Sequence, residues 1–480
     1  MKQHLSFLIV CCLAATNVFA GGTVKLSGKI THPISDSISV RYTESWLGFE
    51  PVKIGARLNA DGTFSLSFPL QFDYTSVMIE HGEQGTEITP VAGDDLVMTI
   101  DAANFDSSLS YTGRGADVAN FVAAHMLARS FSSRFASRVD GACAAAPDSF
   151  LIRSHTSLQK EQDFLDKNGA ALPTAFKKRW MDNFRYELYL CTLNYPAFHQ
   201  MQVQHSYSIT KFDSADFRVL AAVPAAFDDA LLPLSSYRNY VTTYYATLLH
   251  GRDMSEGKNW GNHDSEIVQL VRTHMPARTA EVYEAMTTCQ RAAYETYKEL
   301  VAREVAFERQ YPHSQYLPQL REKMVQKKKL AAGSPAIDFP ITTADGRKMK
   351  LSDLRGKVVY LDFWATWCGP CKAEMPSAKK LEEKYKDKDV VFLSVSIDAD
   401  EAAWKELLAK TQDGGLNMRD GKGGWNAPVA TAYGIRSVPS YFLIDKNGNF
   451  ALDTTPRPSD STELTGAIDK LLEQPRQAMK

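Results

Sequence analysis

Beyond residue 20 the chain has no apolar run long enough to cross a bilayer, so the mature protein is expected to carry no membrane span. It has no charge of one sign in excess. Lysine and arginine number 54 against 56 aspartates and glutamates, a formal net charge of -2, and this excludes the basic surplus on which nucleic-acid binding depends. Cysteine is scarce, with seven residues, and there is no second Cys-x-x-Cys to complete a zinc site around the single pair at Cys368 and Cys371. His199, His205, His250 and His263 are scattered without ligand spacing, so no metal is expected. Lys372 stands where a haem-attachment motif requires histidine. Gly113-Arg114-Gly115 lacks the third glycine of a dinucleotide fingerprint and reads as a turn. Together these absences leave no cofactor to predict.

What is present is a chain of 480 residues, 44% hydrophobic and 23% charged, which is ordinary globular composition at multidomain length. Its first twenty residues differ from the rest. Lys2 precedes an apolar stretch from Leu5 to Ala15, and Val18-Phe19-Ala20 offers small-residue cleavage before Gly21. This reads as a secretory signal, residues 1–20, and implies a periplasmic destination. Lipoprotein anchoring through Cys11 or Cys12 is disfavoured, because Val10 precedes Cys11 and the apolar region ahead of it is stunted. Cleavage would leave Cys143, Cys191, Cys289, Cys368 and Cys371, an odd number in a compartment that permits disulfides. Among the first three, at most one bridge can form, in three possible ways. Burial as inert thiols is the preferred reading for Cys191 and Cys289, which lie in helical patterns.

Three regions follow the signal. Residues 21–112 alternate apolar and polar at 23–30, 37–42 and 63–68, with Asp61-Gly62 as a turn, and further short strands are expected at 75–80, 86–91 and 96–100. That spacing predicts an all-β sandwich. Residues 113–330 switch to helical periodicity, with long segments at 176–200, 235–250 and 281–309. Their dense aromatics, Trp180, Phe184, Tyr186, Tyr189, Tyr237, Tyr240, Tyr244 and Tyr245, fit core packing better than a ligand cage. This central α-helical region would either brace its neighbours or present a groove. The basic run 323–329 and Gly333-Ser334-Pro335 end it. Residues 331–480 then alternate strand and helix: a hairpin through Asp345-Gly346, buried strands at 358–364 and 390–397, a helix near 401–410, a second hairpin of 441–444 with 450–454 across Asn447-Gly448, and a closing helix at 462–474. Trp425, after the glycines at 421–424, would cap the chemistry or simply pack.

The chemistry is concentrated in residues 361–376, LDFWATWCGPCKAEMP. A buried strand feeds a helix N-terminus, and Cys368 falls at the junction. There the unsatisfied backbone N–H groups and the positive end of the helix dipole favour thiolate over thiol. Lowering a thiol pKa from about 8.5 to about 7 raises the thiolate share at neutral pH from a few per cent to about half, a stabilisation of roughly 2 kcal/mol. Cys368 is the expected nucleophile. Cys371, one turn on, is placed to attack a mixed disulfide. Asp362 lies inside an apolar strand, where an acid is costly unless paired or used. Glu374 and Lys372 read as solvated helix positions.

Trp367-Cys368-Gly369-Pro370-Cys371, with Glu374 and Pro376 following, resembles the active site of thioredoxins, and the downstream pattern is similar to the TlpA/ResA class of exported reductases in the redoxin (AhpC/TSA) superfamily. The resemblance implies an α/β thioredoxin-like fold for residues 331–480 and a redox-active Cys368–Cys371 disulfide. It makes Asp362 the group that moves the proton of Cys371. It makes Val438-Pro439 the cis-proline site, where the backbone of Val438 would meet a substrate strand. Trp367, Gly369 and Pro370 complete the substrate-facing surface. Residues 21–112 resemble the β-rich domain of unknown function often found ahead of exported redoxin domains. The implied activity is protein-disulfide oxidoreduction, contributing to cell redox homeostasis or to cytochrome c maturation. Its partners would be disulfide-containing proteins and a membrane thiol donor. The Gly369-Pro370 dipeptide matches reducing thioredoxins near about -270 mV rather than oxidants near about -120 mV, so a reductase is expected. Two alternatives stand beside it: a client- or ligand-binding protein with an accessory redox domain, and a thiol peroxidase. The latter conflicts with Leu361 and Ala365, which occupy positions where peroxiredoxins carry Pro and Thr.

Overall fold

The computed structural model describes residues 21–43, 45–47, 51–128, 143–204, 213–255, 263–292, 295–411, 415–421 and 423–474. The expected signal at 1–20, His205 and Gly414 lie outside them. No described helix is both long and apolar enough to cross a membrane. By compactness the chain divides into two units, Met1–Tyr283 and Glu284–Lys480.

The first unit opens with two four-stranded sheets. Strands β1 (Gly22–Thr31), β2 (Ser37–Tyr42), β3 (Val52–Arg57), β4 (Thr63–Leu70), β5 (Val77–His81), β6 (Gln84–Ile88), β7 (Asp95–Asp101) and β8 (Ser110–Arg114) are ordered β4-β1-β7-β8 and β3-β2-β5-β6. In β4 the period of two is plain: Phe64, Leu66, Phe68 and Leu70 point inward while Ser65 and Ser67 face out. These side chains share one buried cluster with Val40 and Tyr42 of β2 and Val77 and Ile79 of β5. At Gly62 the backbone φ is +81°, and a Cβ there would lie 2.3 Å from the carbonyl oxygen of Ile30, so the Asp61-Gly62 turn requires glycine.

Two strands escaped the sequence pattern. β3 is half-exposed along its length and carries Gly55-Ala56 in place of β-formers. β8 contains Gly113 and Arg114, which the turn reading had removed from the sheet. They pair with Leu96 and Asp95, and Gly113 takes φ +91°, where a Cβ would lie 2.2 Å from the carbonyl oxygen of Asp95. The glycine marks a close backbone approach within a strand rather than its end.

Helices follow at Ala116–Ala128, Pro147–Asn168, Thr174–Gln204, Ser235–Ser255 and Asp264–His274. Their aromatics pack inward. Tyr237 and Tyr240 are fully buried, and Tyr186 meets them edge-on at 4.9 and 5.0 Å between ring centres. Glu161, also fully buried, has an oxygen 2.7 Å from Nε2 of His125 and accepts a hydrogen bond of 3.2 Å from the indole of Trp180. The single helix expected at 281–309 is instead two, Ala277–Arg291 and Tyr297–Gln310. Thr296 starts the second with a reciprocal capping box to Glu299, a local signal that outweighed the continuous apolar periodicity.

The second unit contains, besides residues 331–480, the helices Tyr297–Gln310 and Leu317–Lys329. Asp453 ties all three segments together. Its carboxylate accepts from the backbone N–H of Tyr297 and of Ala332, at 3.3 and 2.7 Å, and its carbonyl from Lys327. A short hairpin, β9 (Pro340–Thr342) and β10 (Lys348–Lys350), precedes a mixed sheet of β11 (Val358–Trp364), β12 (Val390–Ser396), β13 (Leu416–Arg419) and β14 (Ser440–Ile444), ordered β13-β12-β11-β14. β11 runs parallel to β12 and antiparallel to β14. Its alternate residues enter two cores: Val359, Leu361 and Phe363 join the cluster holding both active-site cysteines, while Val358 and Tyr360 join Tyr385, Leu464 and Ile468 on the other face. The hairpin expected across Asn447-Gly448 keeps its turn, but its second limb is reduced to a bridge between Ile444 and Phe450. β13 was not anticipated, since its four residues follow glycine and are too few to show a period.

Cys143, Cys191 and Cys289 are buried and none is in a disulfide. Burial pushes the thiol of Cys289 up to about 11. At pH 8 its thiolate share should be lower than that of an ordinary thiol by a factor on the order of a hundred. Native protein treated with iodoacetamide should therefore retain unmodified Cys289 until denaturant is added, as read by peptide mass. Rapid native labelling would contradict this burial.

Candidate active site

β11 delivers the chain from the centre of the sheet to the helix Gly369–Tyr385 through a short loop, Ala365-Thr366-Trp367. Cys368 is the helix N-cap, with extended backbone, and Pro370 lies in the first turn, where a missing N–H costs nothing. The Sγ of Cys368 accepts a hydrogen bond of 3.1 Å from the backbone N–H of Cys371. A sulfur thus takes the place that a serine or aspartate oxygen holds in most helix caps, and the same N–H would stabilise a thiolate.

The two cysteines are joined in a disulfide with Cα atoms 5.3 Å apart. Both are only 4% exposed, whereas Trp367 is 57% exposed. The nucleophile expected to be accessible is therefore nearly covered in its oxidised form, because its neighbours pack around it. Trp425 meets Trp367 edge-on, with ring centres 5.7 Å apart. Val438, whose peptide bond to Pro439 is cis, packs on the same buried cluster as Cys368 and Cys371. Gly369 and Pro370 are half-buried at the start of the helix.

Asp362 is half-buried in β11, opposite Tyr441 of β14 and Ser394 of β12. By strand parity it shares the face of Val358 and Tyr360. Burial, with the negative charges of Asp362 and Glu374 behind it, raises the phenol of Tyr441 far above its ordinary range. These groups therefore lie close together behind the active-site helix. Glu374 is half-exposed on the helix, and the structure gives it a partner that the sequence did not show. Its carboxylate accepts both the backbone N–H and the hydroxyl of Ser459, each at 2.9 Å. No local signal pointed to that pairing, since the partners are 85 residues apart.

A disulfide at a helix N-terminus, on a sheet with three parallel strands and one antiparallel neighbour, defines a module for thiol–disulfide exchange. Residues 331–464 match the Redoxin family. Over 123 residues the chain is 37% identical to the thiol-disulfide oxidoreductase ResA of Bacillus thuringiensis subsp. konkukian, covering 26% of this chain and 69% of that protein. It is 38% identical over 118 residues to the thioredoxin-like protein YneN of Bacillus subtilis, covering 24% and 66%. Among solved structures, the thioredoxin domain of a thiol-disulfide oxidoreductase from Bacteroides vulgatus is 28% identical and covers 30% of this chain and 99% of that one, with a TM-score of 0.27. The chain belongs to the redoxin thiol-disulfide oxidoreductases, with its thioredoxin-like domain at the C-terminus.

The Glu374–Ser459 contact is half-exposed, which screens it, so about 1 kcal/mol of coupling is expected between the two side chains. Glu374→Ala, Ser459→Ala and the double variant, unfolded in urea, should show that non-additivity. Strictly additive losses would mean the pair is incidental.

Proposed function

We propose that the protein is an extracytoplasmic reductase of protein disulfides. The observation that carries the reading is the sulfur of Cys368 as helix N-cap, bonded to Cys371 in a redoxin domain. In the reduced state the Cys368 thiolate attacks one sulfur of a substrate disulfide. A Cys368–substrate bond forms, the substrate S–S bond breaks, and the departing sulfur takes a proton. Cys371 then gives up its proton and attacks Cys368, closing the Cys368–Cys371 disulfide and releasing the second substrate thiol. Two electrons pass from enzyme to substrate, and a membrane thiol donor returns them.

In this scheme Asp362 assists proton loss from Cys371, while Trp367, Val438 and Pro439 hold the substrate strand. Clients would be apocytochromes awaiting haem or proteins with wrongly formed bridges. The location rests on the apolar leader ahead of Gly21, read as a signal for export to the periplasm. In the same reading residues 21–112 are a β-sandwich, residues 113–330 a helical region and residues 331–480 the redox domain.

Cys368→Ser should abolish insulin-disulfide reduction by the intact protein. Cys371→Ser should instead accumulate mixed disulfides with client proteins in cells, recoverable by affinity purification and released by reductant. Insulin reduction surviving in Cys368→Ser would defeat the assignment of the nucleophile.

A further inference from the structure

Asp398 has no part in the exchange scheme, yet it is 1% exposed and its carboxylate sits under the loop that carries Trp367 and Cys368. It stands just beyond the C-terminal end of β12. The backbone N–H of Thr366 lies 3.1 and 3.0 Å from its two oxygens, and the hydroxyl of Thr366 donates to Oδ1 at 2.7 Å. The hydroxyl of Ser396 donates to Oδ2 at 2.6 Å. Each of these contacts is a donor onto the carboxyl oxygens, so a polar group taken out of water is left with partners.

The backbone around it is equally committed. The N–H of Ile397 donates to the carbonyl of Trp364 at 2.9 Å, and Gly424 donates to the carbonyl of Ile397 at 2.7 Å. The carbonyl of Asp398 accepts from Arg419, which also binds Glu401 at 2.8 Å. Gly423 lies so close that a Cβ there would be 1.9 Å from the Asp398 carbonyl oxygen. Residues 396–398 therefore support both the loop bearing Cys368 and the glycine-rich segment leading to Trp425.

We infer that Asp398 is a positioning residue: through Thr366 it fixes the loop so that the Cys368 sulfur lies over the N–H of Cys371. A buried acid has a high desolvation cost, and packing alone would be served by an apolar residue. What the acid adds is a directional, multiply bonded anchor two residues before the nucleophile. The inference rests on Cys368 being the attacking sulfur, but its test does not require turnover.

Thr366→Val keeps the side-chain shape and removes one donor from the anchor. Loss of that donor loosens the loop, so the sulfur is held less well over the helix terminus and the Cys368 pKa rises. In reduced full-length protein, the pH midpoint for iodoacetamide labelling of Cys368, followed by peptide mass, should rise by about one unit, with up to about tenfold slower labelling at pH 7. Thr366→Ser, which restores the hydroxyl, should return the wild-type profile. Tyr385→Phe removes hydrogen bonds to Asp469 and Thr465 at the far end of the same helix and should leave the profile unmoved. An unchanged midpoint in Thr366→Val, or equal shifts in Thr366→Val and Tyr385→Phe, would overturn the inference. Insulin reduction measured in parallel separates the two readings: its absence in wild type would defeat the reductase, whereas the labelling profile alone decides the role of Asp398.

Discussion

The redox unit depends on a sulfur serving as the N-cap of a helix. A helix leaves its first N–H groups without partners, and here one of them is met by Cys368 rather than by a hydroxyl or carboxylate. An oxygen cap would hold the helix equally well but could not exchange electrons. For the sulfur to sit there, the preceding strand must end at a defined height, and β11 is held there by being buried on both faces and paired on both edges. The same burial explains its composition. A strand with solvent on one side would alternate with polar residues, whereas Val358-Val359-Tyr360-Leu361 has none.

Asp362 and Glu374 show how the polar groups of such a site are distributed. The acid in the strand and the acid in the helix both act on Tyr441, which pairs with Asp362 across the sheet. Burial, with these two negative charges, raises the phenol well above its ordinary range. Ser459 gives Glu374 two donors and ties the helix to the loop before the C-terminal helix Ser461–Glu473. At the C-terminal end of β12, residues 396–398 support the loops that carry Trp367 and Trp425. The disulfide itself sits in an apolar cluster, with Trp367 beside it in sequence and Trp425 against that indole.

The N-terminal unit has a different internal logic. Its sheets are closed by alternating side chains from both layers, and its helices by tyrosines that meet edge to face. Each phenol that enters the interior brings a hydroxyl needing an acceptor, and Tyr195 and Tyr186 find backbone carbonyls at 2.8 and 3.3 Å. The density of tyrosine is accounted for by packing with hydrogen-bonded ends. His125, Glu161 and Trp180 form a buried polar group of the same kind.

Much of this was legible because it is local. Strand-to-helix succession around the cysteines, the turns at Gly62 and Gly448, and the alternation of β4 follow from residues within one or two turns of each other. What was misread has physical causes. Gly113 looked like a turn because glycine permits positive φ, but here that φ serves a close strand approach. Thr296 broke a helix whose apolar period continued. The half-exposed β3 and the short β13 hold their places through pairing with neighbours and not through a pattern of their own.

The amino-acid order by itself determined which sulfur begins a helix, which strand is buried on both faces, and that the chain carries a dithiol module after two differently patterned regions. These depend on backbone hydrogen-bond needs and side-chain periodicity, which act over a few residues. Only the tertiary structure decided that Ser459 holds Glu374, that Asp398 holds Thr366, and that Trp425 lies against Trp367. Those contacts join residues from 32 to 85 positions apart. Side chains so distant meet only because the sheet order brings their loops together, and no spacing along the chain encodes that.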